Sequence, residues 1–83
     1  MRKAEVSYGQ LDAVLQSLGF NVQVEKGKHR LYTHAASGAI VSLPDRNRTE
    51  LVSATHFAAA RHIVTEYDIA DEIEFASQLQ KAS

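Results

Sequence analysis

The chain has 83 residues, of which 45% are hydrophobic and 23% charged, with one Pro, four Gly, no Cys and a net charge of −1. This composition excludes collagen-like, low-complexity and highly charged disordered classes. The absence of Cys excludes disulfides, thiolate zinc sites and thiol nucleophiles. The longest apolar run, Phe57-Ala58-Ala59-Ala60, is far too short to span a bilayer. Arg2 and Lys3 precede no apolar segment, so no secretory leader is expected and a cytoplasmic location is.

The length predicts a single domain over residues 1–83. A domain of this size buries about 60–65% of the surface its unfolded chain exposes. That allows one two-layer core and argues against a deep substrate cavity, so chemistry belongs on a surface or in a shallow groove.

Elements follow in chain order. Ser7-Tyr8-Gly9-Gln10 reads as a capping box, with Ser7 as N-cap and Gln10 reaching back. Tyr8, Leu11, Leu15 and Leu18 recur at spacings of three and four, one apolar stripe of a helix over 8–18. Gly19 suits the left-handed position that ends it. Phe20, Val22 and Val24 alternate with Asn21, Gln23 and Glu25, the period of a half-buried strand. Lys26-Gly27-Lys28 is a turn, residues 29–34 a second strand, Ala35-Ala36-Ser37-Gly38 a second turn and residues 39–43 a third strand. Pro44 lacks the N–H that a ladder requires and should end it. Short connections make an antiparallel meander the simplest topology.

Phe57, Ala60, Val64 and Tyr67 then recur at helical spacing, with Ser53 or Thr55 as candidate caps. Ile69, Ile73, Ala76 and Leu79 form a further stripe, and a break near Asp68 is preferred over one long helix. The predicted fold is therefore α+β, ordered α-β-β-β-α, with a three-stranded antiparallel sheet, helices on one face and an extra C-terminal helix. The core spans about 7–67, and residues of about 68–83 form an acidic helical extension.

Charge is uneven along the chain. Residues 26–62 carry a net +4 and all four His, whereas residues 63–83 carry −4. A basic middle offers a footprint for phosphates; a solvated face with scattered charges is the plainer alternative. The informative stretch is Lys26-Gly27-Lys28-His29-Arg30-Leu31-Tyr32-Thr33-His34. His exchanges protons near neutral pH, Lys and Arg hold phosphate oxygens, and Tyr can stack on a base. Metal-free RNA cleavage needs a base for the 2′-hydroxyl, an acid for the leaving 5′-oxygen and cations for the phosphate.

Leu18-Gly19-Phe20, then Gly27, His29, Leu31, Tyr32 and His34, then Ser37-Gly38 and Val41-Ser42-Leu43-Pro44 resemble the HicA toxins. These are small mRNA interferases of bacterial toxin–antitoxin pairs with a fold like the double-stranded-RNA-binding domain. The resemblance covers residues 8 to about 44. Lys28 stands where the family has Ser or Thr, and the segment beyond Asp68 has no counterpart in a minimal HicA toxin. The resemblance implies His29 as the catalytic residue of a metal-independent endoribonuclease, mRNA as substrate and a HicB-like antitoxin as partner. Lys26, Lys28, Arg30, Tyr32, Arg46 and Arg48 are the candidate RNA contacts. A non-catalytic RNA-binding module and a protein-interaction module that dimerises through the C-terminal helix are the alternatives.

The facing of the second strand stays open. If Leu31 points to the helices, His29 and Thr33 share its side; if Tyr32 does, His29 and Leu31 are exposed. His34 faces away from His29 in either case. His56 and His62 are six apart, not the spacing that brings two ligands to one helical face. Neither a metal nor a cofactor is expected, and no phosphate-loop or dinucleotide fingerprint is present.

Overall fold

Ser7 and Gln10 close the capping box in a computed structural model that describes residues 5–82; Arg2 and Lys3 lie outside them. Ser7 Oγ accepts from the Gln10 N–H at 3.1 Å, and Gln10 Oε1 accepts from the Ser7 N–H at 3.1 Å. The helix they start, α1 (Tyr8–Ser17), ends on Gly19 at φ 101°. There the Phe20 N–H reaches Leu15 O and the Gly19 N–H reaches Gln16 O, each at 3.0 Å. These two bonds satisfy carbonyls that the helix terminus leaves unpaired.

Three strands follow: β1 (Asn21–Glu25), β2 (His29–His34) and β3 (Ala39–Pro44), antiparallel in the order β1-β2-β3. Pro44 is the last residue of β3 and pairs with His29. The helices α2 (Ala54–Glu66) and α3 (Glu72–Ala82) complete an α-β-β-β-α order with one further helix. The fold is α+β, with an open antiparallel sheet. Among the described residues no helix is long and apolar enough to cross a membrane.

The facing of β2 is settled by Tyr32, which is 1% exposed. Tyr32 lies opposite Val22 and Val41, so these share its face with Ala39 and Leu43, all three β3 members buried in the core. His29, Leu31 and Thr33 therefore occupy the other face. There they stand beside Glu25, Gln23 and Asn21 of β1 and Pro44, Ser42 and Ile40 of β3. Ile40 is 54% exposed, which marks this face as uncovered. The burial expected for β1 is only partly realised. Phe20 is buried and Val22 half-buried, but Val24 is 49% exposed, because β1 is an edge strand and the helical cover stops short of it.

Ser53, not Thr55, caps α2, its Oγ accepting from the His56 N–H at 3.2 Å. The break falls where expected, at Asp68 with φ 57°, and Asp71 Oδ1 then accepts from the Glu74 N–H at 2.7 Å. Phe57, Ala60 and Val64 face inward, while Tyr67 is exposed. The stripe expected on the last helix is rotated. Phe75 and Leu79 enter the core and Ile73 stays 82% exposed. Phe75 stacks on Phe57 with ring centres 5.9 Å apart, and the larger ring takes the inward position because it removes more apolar area from water. α3 is thus part of the same core as the sheet and the other two helices, not an appendage to it.

The loop between β3 and α2 runs along the start of α1. The Tyr8 N–H reaches Glu50 O and the Gly9 N–H reaches Arg48 O, both at 2.9 Å, while the Val52 N–H reaches Val6 O at 2.8 Å. A Cβ on Gly9 would meet Arg48 O at 3.1 Å, so this close approach depends on the missing side chain.

Candidate functional site

His29 sits at the first position of β2, where the strand leaves the 26–28 turn. Its cross-strand partner is Glu25, and both side chains lie on the open face. His29 Nε2 is 3.3 Å from Glu25 Oε1, with the two side chains 48% and 55% exposed. Lys28 Nζ approaches the other oxygen of Glu25 at 3.6 Å. One carboxylate therefore bridges a histidine and a lysine at the tip of a hairpin. A carboxylate on one ring nitrogen orients the imidazole and leaves Nδ1 for a proton in transit.

The remaining cations divide by what they touch. Lys26 and Arg46 are exposed and make no ion pair among the described residues. Arg48 has a side chain 62% exposed and reaches Asp12 Oδ2 at 3.3 Å. Arg30 lies on the covered face with its guanidinium committed at three atoms: Nη2 to Asp12 Oδ1 at 3.1 Å, Nη1 to Asp45 Oδ1 at 3.6 Å and Nε to the Tyr32 hydroxyl at 3.0 Å. Tyr32 is enclosed, with no ring face on which a base could stack. Two of the six expected RNA contacts are therefore turned toward the helices, because the strand phase that exposes His29 covers Arg30 and Tyr32.

The hub of this covered cluster is Asp12 of α1. Asp12 is 4% exposed. Oδ1 accepts from the Tyr32 hydroxyl at 2.7 Å and from Arg30; Oδ2 accepts from Gln16 Nε2 at 3.0 Å and from Arg48. Burial pushes the Asp12 carboxyl up, but the bonds from Tyr32, Arg30 and Arg48 outweigh it and hold the group below its ordinary value. Burial and the Asp12 carboxylate together push the Tyr32 phenol up to about 12. Burial lowers the Arg30 guanidinium, but Tyr32 and Asp12 outweigh this and raise it. No buried side-chain nitrogen or oxygen among the described residues lacks a partner. A signal for Asp12 was present: it lies four residues beyond Tyr8 and one beyond Leu11, inside the apolar stripe. An acid there must find donors or destabilise the core.

The other histidines stand apart. His34 Nε2 meets Leu18 O at 3.2 Å, and since a carbonyl only accepts, the ring donates there and accepts at Nδ1 from Ser37 Oγ at 2.8 Å. His34 thereby pins the β2–β3 hairpin to the end of α1 and packs on Phe20 at 5.1 Å. His56 bonds Ser53 at the start of α2, and His62 lies 3.8 Å from Glu66. No group of three potential metal ligands forms among the described residues.

The loop after β3 approaches the His29 hairpin through Asp45. Asp45 Oδ2 accepts from the Gly27 N–H at 2.9 Å, and the Asp45 N–H donates to Lys28 O at 3.2 Å. This contact brings the chain segment of Arg46 beside the turn that carries Lys26 and Lys28. No protein family, curated protein or solved structure matches the chain.

Proposed function

We propose that the protein is a metal-independent endoribonuclease of the HicA type that cleaves mRNA, with His29 as its catalytic group. The observation that carries this reading is the exposed His29–Glu25 pair, 3.3 Å apart at one end of an uncovered sheet face, with Lys26 and Lys28 in the adjoining turn. On this reading His29, oriented by Glu25, takes the proton of a ribose 2′-hydroxyl. The 2′-oxygen attacks the adjacent phosphorus, the bond to the 5′-oxygen breaks, and that oxygen receives a proton from solvent. The products are a 2′,3′-cyclic phosphate and a free 5′-hydroxyl. Lys26, Lys28, Arg46 and Arg48 supply positive charge to the phosphates; Arg30 and Tyr32 hold the scaffold. A HicB-like antitoxin would act by covering the His29 face, in the cytoplasm where mRNA is found. Self-association through the C-terminal helix would use Ile73, the large apolar residue that α3 leaves exposed.

The test is cleavage of a long single-stranded RNA in EDTA by the wild type and by His29→Ala. Cleavage that survives EDTA and disappears with His29 supports the enzyme. Salt-sensitive binding by folded protein without cleavage replaces it with an RNA-binding module on the same basic end. Neither cleavage nor binding ends both.

A further inference from the structure

We propose that Asp45 is the positioning residue of the His29 site: it clamps the turn that precedes His29 and fixes that turn to the buried Asp12 cluster. The inference rests on the endoribonuclease reading for its catalytic consequence, but its structural half stands on geometry alone.

A hairpin tip is ordinarily the most mobile part of a sheet. The 26–28 tip is exposed, lies at the edge of the domain, and passes through Gly27 at φ 80°. The Lys28 N–H to Glu25 O bond, at 2.9 Å, closes the turn, and Lys28 Nζ lies 3.6 Å from the Glu25 carboxylate. Pro44 faces His29 at a non-hydrogen-bonded pair of the edge strand β3, where its nitrogen points away from β2 and its missing N–H removes no bond to that strand. The next N–H, that of Asp45, donates to Lys28 O, and the Asp45 carboxylate folds back to accept from the Gly27 N–H. The two backbone groups on either side of the turn's centre are thus held by one residue. Its second oxygen lies 3.6 Å from Arg30 Nη1, and Arg30 in turn holds Asp12 in α1 at 3.1 Å. A continuous chain of charged contacts, Asp12–Arg30–Asp45–Gly27, runs from the core to the residue two before His29. Asp45 and Arg30 are each about four-fifths buried at the side chain, so the Asp12–Arg30–Asp45 part of this chain is screened less than a surface pair, while the bond from the Gly27 N–H to Asp45 is exposed. Displacement of a reacting group by about 1 Å can cost on the order of 100-fold in rate, and an untied tip permits displacements of that size.

Asp45→Ala removes the acceptor for Gly27 while Arg30 keeps Asp12 and Tyr32, so the core remains satisfied. Asp45→Asn keeps an acceptor and loses only the charge. The experiment measures hydrogen exchange and backbone order at Gly27 in the labelled full-length protein, together with single-turnover RNA cleavage. Amides of β2 and β3 report that each variant is folded. In Asp45→Ala the Gly27 amide should lose its protection. The cleavage rate at saturating protein should fall about 10- to 100-fold, with the half-saturating concentration unchanged. Asp45→Asn should retain the Gly27 protection and recover most of the rate. In a His29→Ala background the Asp45→Ala change should still free the Gly27 amide, because the Asp45 carboxylate holds that amide without the imidazole. Unchanged Gly27 protection in Asp45→Ala overturns the proposal. So does unchanged cleavage in that variant, or a loss confined to RNA affinity. If the wild type does not cleave RNA, the endoribonuclease reading fails separately, and Gly27 protection alone decides whether Asp45 orders the turn.

Discussion

The Tyr32 hydroxyl donates to Asp12 Oδ1 across 2.7 Å inside the core, joining the middle strand to the first helix. The Tyr32 hydroxyl oxygen also accepts from Arg30 Nε at 3.0 Å, so the hydroxyl is a donor and an acceptor at once. A phenol in that position fits the helix and the sheet together by packing and by polar chemistry, and it explains why Tyr32 rather than Leu31 faces inward.

Tyr32→Phe keeps the ring and removes the hydroxyl. Asp12 Oδ1 retains Arg30, but Arg30 Nε loses its acceptor in a covered site. The expected loss is about 1–3 kcal/mol, read as a lower urea midpoint with an unchanged slope.

Protonation of Asp12 should weaken the fold in acid. Its pKa is lower in the folded chain than in the unfolded one, so the stabilisation is fully present above about pH 4. It is lost as pH falls below that and through the folded value. Tyr32 acts at the other extreme: its folded pKa of about 12 exceeds the ordinary 10.0. Its contribution is complete below pH 10 and disappears as pH rises through about 12. Melting temperature against pH should therefore fall at both ends, with a shallower acid limb in Asp12→Asn. Absorbance titration of the phenolates should lose the component near 12 in Tyr32→Phe.

Replacing surface cations and replacing Arg30 should produce opposite phenotypes. Lys26→Gln and Arg46→Gln should leave the melting temperature unchanged, weaken RNA binding and each reduce the slope of affinity against salt by about one. Arg30→Gln should lower the melting temperature, because Asp12 and Asp45 lose their shared cation. Thermal melts and binding at several salt concentrations separate the two classes.

Gly19→Ala should destabilise through two causes at one site. An L residue at φ 101° is strained, and its Cβ would meet His34 Nε2 at 3.2 Å. The left-handed conformation alone costs about 1–2 kcal/mol. The His34 contact to Leu18 O should weaken in parallel, visible as a shifted imidazole resonance.

The last helix supplies Phe75 at 1% exposure and Leu79 at 9%. Phe75→Ala should cost about 3–5 kcal/mol. Truncation after Tyr67 should abolish cooperative unfolding, because it strips the core rather than trimming a tail. A truncated chain that melts cooperatively near the wild-type temperature would contradict this packing.

Local signals in the sequence were enough for the ends of most elements. Ser7 with Gln10, Gly19, Ser53 and Asp68 each act on a backbone group within three residues of their own position, so their effect is written in adjacent letters. Strand alternation likewise places His29 and Tyr32 on opposite faces, whatever surrounds them. It does not say which face the helices cover, and that choice decides whether Tyr32 and Arg30 are surface or scaffold.

Asp12, Tyr32, Arg30 and Asp45 are separated by up to 33 positions, and nothing in their neighbourhoods announces that they meet. The sequence by itself determined the α-β-β-β-α order, the meander, the break between the last two helices and the placement of His29 beside a basic turn. Only the tertiary structure decided that Arg30 and Tyr32 satisfy a buried carboxylate, that Asp45 returns to hold the turn, and that Phe75 outranks Ile73 for the core. Capping and alternation are contests among neighbours along the chain, whereas burial and charge pairing are settled by whichever distant groups fill the same volume.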